Sequence, residues 1–247
     1  MRSAALGLAV LALPATAHAG TAAVTEAGGL AAPSVMLVTL AALALVPFVV
    51  MMATSFVKIA VVLSIVRSAL GTQQVPPAAV VTGLSVVLTI YVMGPVAADC
   101  YDEARAAAEA EGRRLSLDNV DDVFTAAGAG KEPLRAFLKA NAGRAELSSL
   151  AATARDRWRG RRAIADDDFI VLVPAFVVSQ LKEGFRIGFL LYLPFLVVDL
   201  LVTNALMALG MSMLSPMVVS VPLKILVFLA ADGWAVIARG LVASFRG

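Results

Sequence analysis

The chain has 247 residues, 60% of them hydrophobic and 15% charged, with a mean hydropathy of +0.87. That apolar share lies above the range of a soluble domain and that charged share below it, so the composition points to a membrane-associated helical protein. The net charge is +2, and 26 of the 38 acidic and basic side chains fall between Asp99 and Asp168, 14 acidic against 12 basic, which excludes a one-signed nucleic-acid-binding arm.

Residues 1–19 have the three parts of a cleaved signal peptide. Arg2 leads, Ala4 to Leu13 is an apolar core too short to span a bilayer, and Ala17-His18-Ala19 is a small-x-small cleavage site. His18 is the only histidine and Cys100 the only cysteine. A mature chain without histidine excludes Cys/His zinc sites, Ser-His-Asp or Cys-His catalysis, and an intrachain disulfide. No phosphate loop of the G-x-x-x-x-G-K type is present. We therefore expect no enzyme activity, no cofactor and no metal.

Ser34 to Val57 carries no charge for 24 residues, enough at ~1.5 Å per residue to cross a hydrocarbon core. Pro77 to Ala98 is a second uncharged run of 22. Between them IAVVLSIVRSALGTQQVP reads as a connector. The polar block from 99 to 168 holds YDEARAAAEAE, DNVDDVFTAAG, PLRAFLKAN and AELSSLAATARDRW, each a short predicted helix bounded by Gly or Pro. Phe169 to Leu181 is apolar but only 13 long, short for a span. A long apolar run follows from about Ile187 to Ala231. Five apolar segments place Lys58, Arg67, Lys182, Arg186, Arg239 and Arg246 in cytoplasmic loops or tail; merging or skipping the short third segment would leave four. Pro174, Pro194 and Pro222 interrupt the later segments, which then need neighbouring helices to satisfy freed backbone groups.

Two charges stand inside the long run. Asp199 and Lys224 would each cost roughly 2.5–3.5 kcal/mol at a bilayer centre. A hairpin folded at GMSMLSP, residues 210–216, would bring them to matching depth on facing helices, where they would pair. Asp232 has no obvious partner in that hairpin, which implies a polar contact with another segment or subunit. A second reading, a cation- or proton-coupled transporter, would use Asp199 and Asp232. The motif itself combines turn residues with Met211 and Met213, whose unbranched side chains repack easily.

These segments resemble a known family. TSFVKIAVVLSIVRSALGTQQVPP followed by GLSVVLTIYVMGP is similar to the N-terminal signature of the FliP/SctR family of type III secretion export-gate proteins. SQLKEGFRIGFLLYLPFLVVDL, MALGMSMLSPMVVSVPLKILVF and DGW resemble its C-terminal signature. The matching positions include Thr54, Ser55, Phe56, Arg67, Gly71, Pro76, Pro77, Pro194, Pro222, Gly233 and Trp234. The resemblance implies an all-α protein of membrane-associated helical hairpins with a polar helical insert, located in the bacterial inner membrane with periplasmic exposure.

It further implies a homo-oligomer, pentamer-like in the family, assembled with Q-type and R-type membrane partners around a gated pore for unfolded secreted proteins. Gly210, Met211, Ser212 and Met213 would form the gate loop, with Ser212 where many relatives have a third methionine. Lys182, Asp199, Lys224 and Asp232 keep the family's charge types and are expected to be structural. Gln180 replaces a glutamate common among relatives. The LSP after the loop points to the virulence branch and the signal peptide to the flagellar one; we favour the virulence branch. The expected organisation is a signal peptide over 1–19, N-terminal apolar helices over 20–98, a polar and periplasmic insert over 99–168, and a C-terminal apolar hairpin region over 169–247.

Overall fold

The computed structural model describes residues 51–72, 76–110, 130–211 and 213–246, with Ala44, Phe48 and Gly128 besides. The expected signal peptide, most of the first uncharged run and nearly all of DNVDDVFTAAG lie outside the described residues. Among the described residues the chain is helical, without strands. Among the described residues seven helices have both ends defined, in order α1 Phe56–Ala69, α2 Ala78–Ala110, α3 Lys131–Asn141, α4 Arg144–Arg157, α5 Phe169–Ala208, α6 Pro216–Ala230 and α7 Gly233–Ala243. All belong to one unit, Pro47–Gly247.

The stretch expected as a connector is instead the most buried helix. Ile59, Val62 and Val66 have no exposed surface and Leu63 only 1%. The reason is visible in IAVVLSIV. A helix this rich in apolar residues, with Ser64 and Ser68 as its exposed positions, has little face to offer water, so most of it is covered by other helices. Packed against α1 are α5 along its length and α2 on another side. Each fully buried Val, Leu or Ile contributes roughly 1.5–3 kcal/mol. The fit between α1 and α5 depends on Gly184 and Gly188, one turn apart on α5. A Cβ on Gly188 would lie 2.4 Å from Ile65 Cδ1, and one on Gly184 would lie 3.3 Å from Val61 Cγ1. Absent side chains let the two backbones approach.

Two apolar clusters result. One gathers α1 with Phe195 of α5, Phe228 of α6, and Ile237 and Leu241 of α7. The other joins Phe137 and Leu138 of α3 to Leu172 and Phe176 of α5 and Val96 of α2.

The apolar runs are longer helices than the hydropathy segments suggest. Helix α2 continues for 33 residues through Pro95, so the boundary drawn at 98/99 falls inside one helix and YDEARAAAEA, residues 101–110, is its last turns. Ser85 Oγ donates to Val81 O at 2.8 Å and Thr89 Oγ1 to Ser85 O at 2.7 Å. Hydroxyls satisfied within their own helix leave its surface apolar.

Helix α5 is 40 residues long and includes Pro174 and Pro194. This corrects the five-segment reading. The 13-residue apolar stretch from Phe169 and the later run are one helix, and Lys182 and Arg186 sit within it rather than in a loop. No turn residue separates them: the only glycines there, Gly184 and Gly188, pack against α1. By length and composition α2 and α5 can cross a membrane, and the α6–α7 pair, bent by 61°, would make a third span if counted as one.

Candidate functional site

The hairpin between α5 and α6 is built by a glycine. Ala208 is the last residue of α5, Leu209 caps it, and Gly210 follows at φ +72°. The Met211 N–H donates to Leu206 O at 2.9 Å, and the Gly210 N–H to Met207 O at 3.0 Å. These two bonds are the Schellman pair that closes a helix C-terminus around a left-handed residue. Glycine adopts that conformation without a Cβ clash. Pro216 then opens α6 at its first turn, where its missing N–H costs no bond.

The tip so formed is bare. Met213 is fully exposed, Met207 is 61% exposed and Met211 44%. Leu209, Leu214 and Met217 are exposed beside them. Ser212, expected between the two methionines, lies outside the described residues. A contiguous exposed apolar patch of this kind marks a contact surface.

Below the tip, a buried cation ties three helices. Lys224 Nζ lies 2.6 Å from Asp199 Oδ2 across the hairpin, and donates to Ala69 O of α1 at 3.2 Å. Ala69 is the last residue of α1, where backbone carbonyls lack helical partners and carry partial negative charge. The ammonium therefore meets a carboxylate and a helix C-terminus together. Gly71, at φ +74°, turns the chain there, and a Cβ on it would stand 3.0 Å from Val221 Cγ2. Beside the clamp is a cleft of about 340 Å³ lined by Asp199, Thr203, Ser220, Lys224 and Tyr192 among others.

Of the two contacts expected for Asp232, another segment or another subunit, the chain itself supplies the first, from α7. It sits at φ 49°, ψ 44° between α6 and α7, 3.9 Å from Arg239 Nη2, with both side chains exposed. Gly233 follows because a Cβ would strike the Phe228 ring at 2.3 Å. Trp234 then meets Phe228 edge-on, centroids 5.1 Å apart. Asp-Gly-Trp is thus the bend that folds α7 back.

Lys182 pairs with Glu146 of α4 at 2.8 Å. The hydrogen bond from Lys182 holds the Glu146 carboxyl below its usual range, helped by a backbone hydrogen bond. Of the other signature positions, Thr54 Oγ1 donates to Met51 O at 3.2 Å, and Ser55 is wholly buried with no partner for its Oγ among the described residues. Phe56 and Arg67 are half-buried on α1, Pro76 and Pro77 precede α2, and Pro194 and Pro222 lie inside α5 and α6 with exposed rings. These positions do not converge on one place.

A second polar centre was not singled out from the sequence. Lys58 is fully buried. Its Nζ lies 3.2 Å from Glu183 Oε2, donates to Ser244 O at 3.3 Å, and stands 3.7 Å above the Phe245 ring. Asn141 binds the same tail, with Nδ2 donating to Arg246 O and Oδ1 accepting from Arg246 N, both at 2.9 Å. Gln180, also fully buried, donates from Nε2 to Asn141 O at 2.8 Å. The available signal was Lys58 alone, a single lysine set inside an apolar run and therefore in need of a buried partner.

The FliP family model matches residues 39–241. The Yop proteins translocation protein R of Yersinia pestis is 42% identical over 214 residues, 86% of this chain and 96% of the relative. The hypersensitivity response secretion protein HrcR of Ralstonia nicotianae is 41% identical over 213 residues, 85% of this chain and 96% of the relative. The virulence protein YscR of Salmonella typhimurium is 42% identical over 205 residues, 82% and 92%. A cation-coupled transporter finds no support among these relatives.

Proposed function

Because this chain belongs to the FliP family, we propose that it is an inner-membrane component of a type III secretion export apparatus, whose hairpin tip gates a pore for unfolded proteins. Relatives named for translocation, hypersensitivity-response secretion and virulence support the virulence branch. Several copies, with Q-type and R-type partners, surround the pore, and the polar block over 99–168 faces the periplasm. The chain's part is structural and mechanical rather than enzymatic.

One observation carries the gating reading. Methionines are presented bare at the tip of a hairpin whose base is held by an ion pair. The rigid part sets the position of the tip: the Schellman turn fixes its direction, and Lys224 fixes α6 against α1 and α5. The soft part is Met211 and Met213, whose flexible thioethers repack around differing shapes. Copies of the tip about a common axis close on one another when idle and reseal around a passing chain.

The test is the double substitution Met211→Ala with Met213→Ala. We expect assembly to remain intact and the inner membrane to become permeable to small solutes. An assembled double variant with wild-type permeability would remove the gasket role.

A further inference from the structure

A cleft of about 380 Å³ lies where the α3–α4 turn, the middle of α5 and the tail after α7 meet. Four cations line it, Arg144, Lys182, Arg186 and Arg246, against two acids, Glu146 and Glu183. Both acids are already engaged, Glu146 by Lys182 and Glu183 by Lys58. The guanidinium groups of Arg144, Arg186 and Arg246 make no hydrogen bond or ion pair among the described residues, so the cleft holds an excess of positive charge with unused donors. Unused guanidinium groups bind phosphate oxygens with charge-assisted hydrogen bonds.

The cleft also has an apolar continuation. Arg186 begins a stripe on α5 that runs through Leu190, Leu193, Val197 and Leu200, spaced by three or four residues and all exposed. Charged helices α3 and α4 meet α5 at the cleft, and α5 runs from there to the apolar hairpin. A cluster of cations followed by an exposed apolar strip matches the two ends of a phospholipid.

We propose that this cleft binds the phosphate headgroup of an anionic phospholipid, with the acyl chains lying along the α5 stripe. Neither the gating reading nor the methionine tip enters the argument. A neighbouring subunit that covered the strip with an apolar helix and met the cations with carboxylates is the alternative that the experiment separates.

The experiment is native mass spectrometry of the full complex in mild detergent, titrated with phosphatidylglycerol, phosphatidylethanolamine or inorganic phosphate. Wild type is expected to retain phosphatidylglycerol in preference to phosphatidylethanolamine. Combining Arg186→Gln and Arg246→Gln should weaken that retention about thirtyfold. The assembled mass without lipid should stay the same, and Arg186→Lys with Arg246→Lys should restore most of the binding. Equal retention of the two lipids, or no change in the glutamine variant, overturns the proposal. Displacement of the lipid by equimolar inorganic phosphate also overturns it, since the site would then take a free anion. So does loss of neighbouring subunits from the glutamine variant with lipid retention unchanged, since the cations would then meet a protein carboxylate.

Discussion

Lys224 and Asp199, 25 residues apart in the chain, meet at 2.6 Å across the hairpin that carries the methionine tip. The Lys224 side chain is 6% exposed and that of Asp199 40%, so the pair is lopsided: a buried cation facing a carboxylate that water still reaches. Removing the carboxylate strands the cation, whereas removing the cation leaves an acid that solvent can satisfy.

Asp199→Asn should therefore be the more damaging change. Breaking a fully buried pair costs about 3–5 kcal/mol, and the partial exposure of Asp199 reduces this to about 2 kcal/mol. Lys224→Met should cost less, because methionine fills the space and leaves only the Ala69 carbonyl and a half-wetted acid. Complex abundance and thermal midpoint after detergent extraction read the difference. Asp199→Asn is expected to lower assembly and secretion together. Full assembly with lost secretion would instead make Asp199 a working ionisable group.

The contact between α1 and α5 is expected to reject any side chain at Gly188. A Cβ there meets Ile65 at 2.4 Å (Cδ1), 3.0 Å (Cβ) and 3.1 Å (Cγ2), and a β-branched side chain has little freedom to move aside. Gly188→Ala should destabilise by about 1–3 kcal/mol, although alanine is the better helix former by about 1 kcal/mol. Adding Ile65→Val removes the nearest atom and should recover part of the loss. A Gly188→Ala protein as heat-stable as wild type would show that the helices can separate at no cost.

Glu146 supplies a pH dependence of known sign. Its folded-state pKa is lowered, mainly by the hydrogen bond from Lys182. Its stabilising contribution is therefore fully present above the unfolded carboxyl pKa, about 4.3, and is lost as pH falls through the lower folded value. Lys182→Gln should lower stability across the neutral region, and the difference from wild type should vanish as pH falls through the folded value, which flattens the acid limb. A loss of stability that persisted undiminished below the folded value would contradict this assignment.

Composition and pattern alone determined that the chain is helical and membrane-associated. They also located the turn within GMSMLSP, residues 210–216, and the pairing of Asp199 with Lys224. These are readable because they rest on local chemistry: a glycine where a left-handed residue is needed, and two charges equidistant from a turn in an apolar run. What tertiary structure decided was which apolar residues face what. IAVVLSIV is the same kind of string whether it links two spans or fills the centre of the unit. Only its packing against Gly184, Gly188, Phe195 and Phe228 makes it the core helix α1. Whether Lys182 lay in a loop or a helix turned on the absence of any break near it, which hydropathy windows do not register. The Lys58 centre depends on Asn141, Glu183 and Phe245 arriving from three distant segments. No local pattern encodes that meeting, because it follows from the way whole helices pack.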